Sequence, residues 1–227
     1  MNIYITIITI YIILTFTEWY IHKNVMHKSD CKIGEFINYL YYLVHNEKHS
    51  KSHINHHSIM NPNGKILEED PGMYFHIYSS LFLIPISFII YCIISILINN
   101  KHTYNEYIII FIVFSLLSIS YYKIWNIIHP KYHRYNDTYN ENNIIENNFI
   151  YKYLEKYHMI HHLNKGDNKC NFNIIVPGAD FIMGTYRGCV SNKEYYENNN
   201  NLSDNDKKLY LKELNKEQLP YGISYCN

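Results

Sequence analysis

The chain has 227 residues, a length typical of one domain. Its 20 lysine and arginine residues balance its 20 aspartate and glutamate residues at pH 7, which argues against a nucleic-acid-binding surface. The five cysteines are odd in number and form no Cys-x-x-Cys pair. We therefore expect reduced thiols in a reducing, cytosol-facing environment rather than a disulfide framework.

Three apolar stretches are long enough to cross a bilayer as helices, since a span needs about 20 residues. They cover residues 3–21, 74–98 and 107–128. A short polar segment joins the last two, which are therefore predicted to form a membrane hairpin. A fourth apolar stretch, residues 35–44, is too short to span, and we expect it to lie at the interface or to re-enter the membrane.

Twelve of the 14 histidines lie in four windows of the chain, at residues 22–27, 45–57, 129–133 and 158–162. Lysine and arginine residues crowd the segments after the first and third apolar stretches, whereas the hairpin tip carries Lys101 alone. The positive-inside rule then places both basic segments in the cytosol and the N-terminus outside. All four histidine windows reach the same membrane face in this topology.

The histidine spacing favours metal binding. The second and fourth windows each contain a His-x-x-His-His motif, 53–57 and 158–162, and residues three and four apart lie on one helical face. Neutral imidazoles on one face can converge on a cation. His22 and His27 are five apart, roughly 140° around an ideal helix. This pair therefore serves two ions, or it lies where the helix is distorted.

After the last histidine motif, Pro177 and three glycines indicate turns, so we expect an ordered loop that closes against the histidines. Residues 191–227 are polar and low in complexity and are predicted to form a surface tail, separate from a membrane domain of residues 1–190. The predicted fold is all-α: an integral-membrane helical bundle of about three to four spans with a cytosolic histidine-rich helical cap.

The order of these motifs resembles that of the fatty acid hydroxylase / sterol desaturase superfamily, over roughly residues 14–187. The motifs in question are Glu18-x-x-x-His22-x-x-x-x-His27, His49-x-x-x-His53-x-x-His56-His57, His129-x-x-x-His133 and His158-x-x-His161-His162. Asn171-Phe172-Asn173 and Asp180-x-x-Met183-Gly184-Thr185-Tyr186 resemble the family's closing pattern. One span precedes the first motif here, where relatives often have two.

The resemblance implies a membrane-bound non-haem di-iron oxygenase that hydroxylates a lipid, such as a fatty acyl chain, a sphingolipid or a sterol. It would use O2 as cosubstrate and two electrons from a reductase through a b-type cytochrome, in a membrane like that of the endoplasmic reticulum. The metal ligands that it implies are His22, His27, His49, His53, His56, His57, His129, His133, His158, His161 and His162. We also expect Glu18 and Asp180 to orient ligand rings.

Two alternatives stay open at this point. A lipid desaturase of the same family would use the same chemistry and remove a second hydrogen instead of inserting oxygen. A non-catalytic membrane protein that binds zinc would also use imidazole ligands, because imidazole suits zinc and copper as well as iron.

Overall fold

The structure is a computed structural model, and it describes residues 3–27, 31–45, 49–59, 70–75, 77–133, 143–164, 169–190, 223 and 226. The regular elements in these residues are helical, apart from isolated bridge residues at Val190 and Ile223. The α-helices are α1 (Ile3–Tyr20), α2 (Lys32–His45), α3 (His49–Ile59), α4 (Ile77–Leu97), α5 (Tyr104–Tyr132), α6 (Phe149–Leu163) and α7 (Ala179–Ile182). A π-helical segment, Ile21–Met26, extends α1, and a 3-10 turn, Pro71–Met73, precedes α4. The prediction of an all-α fold is confirmed.

The three long apolar helices α1, α4 and α5 pack side by side. Helices α4 and α5 form the predicted hairpin. The Tyr91 hydroxyl near the end of α4 donates a hydrogen bond at 3.3 Å to Thr6 near the start of α1, so α1 runs antiparallel to α4 and parallel to α5. Apolar side chains fill the space between the three helices: Ile10, Ile13, Tyr91, Ile110 and Phe114. This arrangement brings the histidines of α5 and of the segment after α1 to the same end of the bundle.

The helices of this bundle expose apolar surface. Ile3–Met26 and Tyr104–Tyr132 are long and apolar enough to cross a bilayer, and Leu83–Leu97 is a shorter apolar helical stretch. Only 33% and 22% of the most apolar windows of the two long helices are buried. A core helix of a water-soluble protein would be mostly buried, so this exposed apolar surface is the kind that a bilayer covers. The number of spans and the cytosolic orientation stay predictions.

Helices α2, α3 and α6 gather around the histidine-bearing ends of α1 and α5, and we call these three helices the cap. The cap is tied to the bundle by buried polar contacts as well as apolar packing. The Asn38 side chain on α2 donates to the Val25 carbonyl at 2.7 Å and accepts from the Ser50 backbone N–H at 3.0 Å. These bonds link α2 to both the π-helical segment and α3. Helix α2 leaves Ile33, Phe36 and other apolar side chains exposed.

One expectation about the cysteines is wrong. Cys189 and Cys226 form a disulfide bond, whereas Cys31, Cys92 and Cys170 are free thiols. The partners are 37 residues apart, so no local sequence pattern signals that they meet. The Cys226 backbone N–H also donates to the Val190 carbonyl at 3.0 Å, and Ile223 is buried. Most of the predicted tail, residues 191–222, lies outside the described residues.

Candidate metal centre

Helix α1 changes from α- to π-helical geometry just where its histidines begin. The His27 backbone N–H donates to the His22 carbonyl at 3.1 Å, a bond between residues five apart in place of the usual four. The extra residue in this turn brings His22 and His27 onto one face, with ring centroids 5.0 Å apart. Of the two alternatives for His22 and His27, the structure shows the distorted helix.

Ten histidines converge on two adjoining groups, and each group can hold a metal ion with ligand atoms that all lie within 4.8 Å of one another. Group A consists of His22, His27, His53, His57 and His161. Group B consists of His56, His129, His133, His158 and His162. The rings of His57 and His162 stack between the groups, with centroids 3.9 Å apart.

The two groups are built on the same plan. Each takes a pair of histidines from one long helix: group A from the π-helical end of α1, and group B from the end of α5. Helix α3 gives two histidines to group A and one to group B, and α6 gives one to group A and two to group B. The His-x-x-His-His motif explains this division, because its three histidines span one broad face that borders both groups.

The ring nitrogens of group A approach one another as ligands of a common ion do. The Nε2 atoms of His22 and His53 are 3.0 Å apart, and those of His27 and His161 are also 3.0 Å apart. His57 Nε2 lies 3.2 Å from the Nε2 atoms of both His53 and His161. Two nitrogens bound at about 2.1 Å to one ion, at right angles, would lie about 3.0 Å apart.

Group B has the same close approaches. The His133 Nε2 atom lies 3.1 Å from His56 Nε2 and 3.0 Å from His158 Nε2. His129 Nε2 and both ring nitrogens of His162 are buried without a hydrogen-bond partner among the described residues. A buried polar atom without a partner costs free energy, and a bound cation would remove that cost. The residues of both groups therefore fit metal ions.

Four rings are oriented by acceptors on the side away from the metal groups. His22 Nδ1 donates to the Phe172 carbonyl at 2.7 Å, and His161 Nδ1 donates to the Cys170 carbonyl at 2.6 Å. In group B, His129 Nδ1 donates to the Met73 carbonyl at 2.6 Å. A proton held on Nδ1 leaves the lone pair of Nε2 free, and here Nε2 points into the group.

The fourth acceptor is Asp70, a carboxylate that the sequence analysis missed. Its Oδ2 lies 2.7 Å from His56 Nδ1, and its Oδ1 accepts from the Gly72 backbone N–H at 3.1 Å. Burial raises the pKa of Asp70, and the bond from Gly72 opposes that rise. A Cβ at Gly72 would lie 2.6 Å from the His56 Cβ, so only glycine lets this segment lie against α3. A side-chain carboxylate on an imidazole of this kind is common around protein-bound metals.

Burial keeps the cap histidines neutral. It lowers the pKa of His53, His158 and His162 well below the ordinary value of 6.5, and the neighbouring histidines lower these pKa values further. A neutral imidazole is the form that binds a metal ion. These three histidines can therefore bind a cation at neutral pH without first releasing a proton.

Glu18 and Asp180 do not contact the histidine rings, contrary to our expectation. Glu18 accepts hydrogen bonds from the Tyr121 hydroxyl and from the backbone N–H groups of residues 174–176. Asp180 accepts from the Tyr157 and Thr185 hydroxyls and from the backbone N–H groups of residues 172 and 173. Both carboxylates shape the chain after Cys170, and Asp180 is linked to His22 through the Phe172 backbone.

Ten of the eleven predicted ligands thus lie in the two groups. The eleventh, His49, begins α3, but its side chain lies outside the described part of the structure. The orienting acceptors were not predicted. Three of them are backbone carbonyls, which no residue type marks, and Asp70 lies in no histidine window.

Comparisons with protein-family profiles, with curated proteins and with solved structures found no match to this chain.

We expect the purified protein to bind about two divalent metal ions per chain, because it has two groups of five histidines. The double substitution His129→Ala/His133→Ala removes two ligands of group B and should lower the metal content to about one ion. Metal analysis by mass spectrometry after anaerobic loading with Fe²⁺ measures this. His102→Asn is the control, since His102 lies at the opposite end of the bundle, beside Tyr91. Unchanged metal content in the double variant would contradict the assignment.

Asp70→Asn should weaken metal binding at group B by roughly 10–100-fold, because the amide replaces the charged acceptor on His56. A competition titration with a chromophoric chelator measures the affinity of each site. Glu106→Gln is the matched control, because Glu106 caps the start of α5 at the hairpin tip. Equal affinities in the two variants would show that Asp70 does not support the site.

The metal-free protein should lose stability on acidification. Because the pKa values of His53, His158 and His162 lie well below 6.5 in the folded state, the unfolded chain takes up their protons first as pH falls. Each histidine that stays neutral in the fold then lowers the free energy of unfolding by about 1.4 kcal/mol per pH unit below 6.5. Thermal unfolding in detergent between pH 7.5 and 5.5 measures this loss, and His158→Gln should make it shallower. A melting temperature that is independent of pH would refute this account.

Proposed function

We propose that this protein is a membrane-bound non-haem di-iron oxygenase that hydroxylates a lipid. The observation that carries the proposal is the pair of adjoining, mostly buried groups of five histidines. The motif order, which resembles that of the fatty acid hydroxylase / sterol desaturase superfamily, supports the same conclusion.

The ligand number favours iron over structural zinc. Structural zinc sites are almost always tetrahedral with four ligands, whereas each group here offers five imidazole nitrogens. Imidazole is also a good ligand for iron. No aspartate or glutamate belongs to either group among the described residues, so the histidines alone would hold the metal ions.

The reaction requires a cofactor, because no amino-acid side chain can abstract hydrogen from an unactivated methylene group. Two bound irons would supply the redox chemistry that activates O2 for this step, with two electrons delivered from outside the chain. The chain's own contribution is to hold the imidazoles of His53, His158 and His162 neutral, to turn the Nε2 lone pairs of the four oriented rings inward and to keep bulk water from the groups. For the electrons we propose a reductase and a b-type cytochrome.

A pocket between α1, α4 and α5 supports a lipid as the substrate. Its lining is largely apolar and includes Leu14, Ile21, Met26, Phe75, Leu83 and Trp125. His22 of group A and Glu18 also line it. The pocket has a volume of only about 30 Å³, so it could take one end of an apolar substrate but not a whole acyl chain, and that end would lie next to His22. A water-soluble substrate would gain little from such a lining.

The proposed location is a membrane like that of the endoplasmic reticulum, with the histidine groups facing the cytosol. The exposed apolar surfaces of α1 and α5 support the membrane location. The basic segments beside the histidine windows support the orientation.

Lipid mass spectrometry of yeast that express the chain tests the proposal. We expect a lipid that gains one oxygen in cells with the native chain and not in cells with His161→Ala/His162→Ala, which removes one ligand from each group. His102→Asn should keep the product, because His102 lies outside both groups. Identification of the oxidised lipid would define the substrate class.

Other outcomes of this experiment separate the alternatives. A lipid that loses two hydrogens would make the protein a desaturase. If no new lipid forms and zinc stays bound when iron is supplied, the protein is a metal-binding protein and not an oxygenase. Product from the His161→Ala/His162→Ala chain would mean that the histidine groups are not the catalytic centre.

A further inference from the structure

The segment after the last histidine motif folds back along α1, away from the metal groups. The Thr15 hydroxyl donates to the Val176 carbonyl at 2.8 Å and accepts from the Ala179 backbone N–H at 2.9 Å. The Tyr11 hydroxyl donates to the Pro177 carbonyl. These contacts place residues 176–179 against the middle of the apolar helix α1.

The contact points lie deep along α1. Thr15 precedes His22 by seven residues and Tyr11 precedes it by eleven, which is about 10 Å and about 16 Å along a helix. The whole apolar helix, Ile3–Met26, has 24 residues and is therefore about 36 Å long, against a hydrocarbon core of about 30 Å. If α1 crosses the bilayer with its histidines at the surface, residues 176–179 lie within the hydrocarbon.

The tip of this segment exposes apolar side chains to its surroundings. Phe181, Ile182 and Met183 are 53%, 70% and 46% exposed, whereas Ala179 and Asp180 are fully buried. Water would be a poor environment for three consecutive exposed apolar residues. The exposed face of α1 beside them is also apolar, with Ile7, Ile8, Tyr11 and Ile12. Both surfaces are apolar, and acyl chains would suit both.

A non-helical segment can enter hydrocarbon only if its backbone polar groups are paired inside the protein. Here the N–H groups of residues 174–176 all donate to the Glu18 carboxylate, at 2.8–3.0 Å. The N–H groups of residues 172 and 173 donate to the Asp180 carboxylate at 3.0 and 2.7 Å. The N–H groups of residues 181–183 turn back to the carbonyls of residues 178 and 179. Pro177 has no N–H to pair.

The backbone at Gly178 permits the close approach to α1. Its φ angle of +143° is one that residues with a side chain rarely adopt. A Cβ there would also lie 3.2 Å from the Thr15 hydroxyl oxygen. Glycine thus satisfies both the turn and the tight packing of the segment on the helix.

We propose that residues 174–183 form a membrane-inserted loop whose Phe181, Ile182 and Met183 contact lipid acyl chains. The inference rests on the proposed membrane location of α1. It also gives a function to the buried carboxylates of Glu18 and Asp180, which the metal groups do not use. Glu18 pairs the backbone N–H groups of residues 174–176, which would otherwise meet hydrocarbon, and Asp180 connects the inserted loop to His22 through the Phe172 backbone.

Tryptophan fluorescence in vesicles of phosphatidylcholine brominated on its acyl chains tests the loop. Ile182→Trp reports on the loop, Ile112→Trp on the exposed face of α5, and Ile54→Trp on the cap; all three isoleucines are exposed. The signal of the native Trp19 and Trp125, measured in the unmodified chain, is subtracted. We expect bromination to lower the added fluorescence of Ile182→Trp and Ile112→Trp by about twofold or more, and that of Ile54→Trp only slightly.

The three positions separate the possible failures. If Ile112→Trp is quenched but Ile182→Trp behaves like Ile54→Trp, the loop lies in water and the proposal is overturned, while the membrane location of the bundle stands. If Ile112→Trp is not quenched, the membrane location is wrong, and the proposal of an inserted loop is wrong as well. The readout needs neither metal nor turnover, so it is independent of the oxygenase assignment.

Discussion

The structure depends on the convergence of ten imidazoles in a mostly buried space. His22 and His161 carry their protons on Nδ1, so their Nε2 atoms turn lone pairs toward imidazole nitrogens 3.0 Å away, and a proton or a cation must lie between. Burial lowers the pKa of His53, His158 and His162, which opposes a charged imidazolium there. A metal ion in each group would stabilise the inward lone pairs without a charged imidazolium, and the π-helical turn and the outward Nδ1 bonds fit such a site. Helices α3 and α6 serve both groups, so a shift of either helix would disturb both at once.

The local features of this arrangement could be predicted from the sequence. Apolar stretches of suitable length predicted the long helices, and the three- and four-residue spacing predicted which histidines share a face. The five-residue spacing of His22 and His27 predicted either separate ions or a distorted helix, and the π-helical segment decides for the second. The positive-inside rule brought all windows to one end, and the described histidines do meet there.

The long-range features could not be predicted, for physical reasons that differ from case to case. A backbone carbonyl such as that of Phe172 or Cys170 becomes a ring acceptor only through tertiary packing. Asp70 is one acidic residue among 20, and nothing near it in the chain marks it as the partner of His56. Glu18 was expected to orient a ligand ring, but its neighbours are backbone donors about 156 residues away rather than the histidine four residues on. A contact between segments so far apart in the chain leaves no periodic pattern in the sequence.

The disulfide between Cys189 and Cys226 has a consequence for topology. The Cys189 carbonyl accepts a hydrogen bond from Asn164, two residues after His162, so the disulfide lies at the same end of the molecule as the metal groups. Glutathione and thioredoxin keep most cytosolic thiols reduced, whereas the lumen of the secretory pathway permits disulfides. The oxidation state of this pair in living cells is therefore a natural marker of sidedness. Free thiols at Cys189 and Cys226 would indicate that the end of the molecule with the metal groups lies in the cytosol. An intact disulfide would indicate that this end faces the lumen.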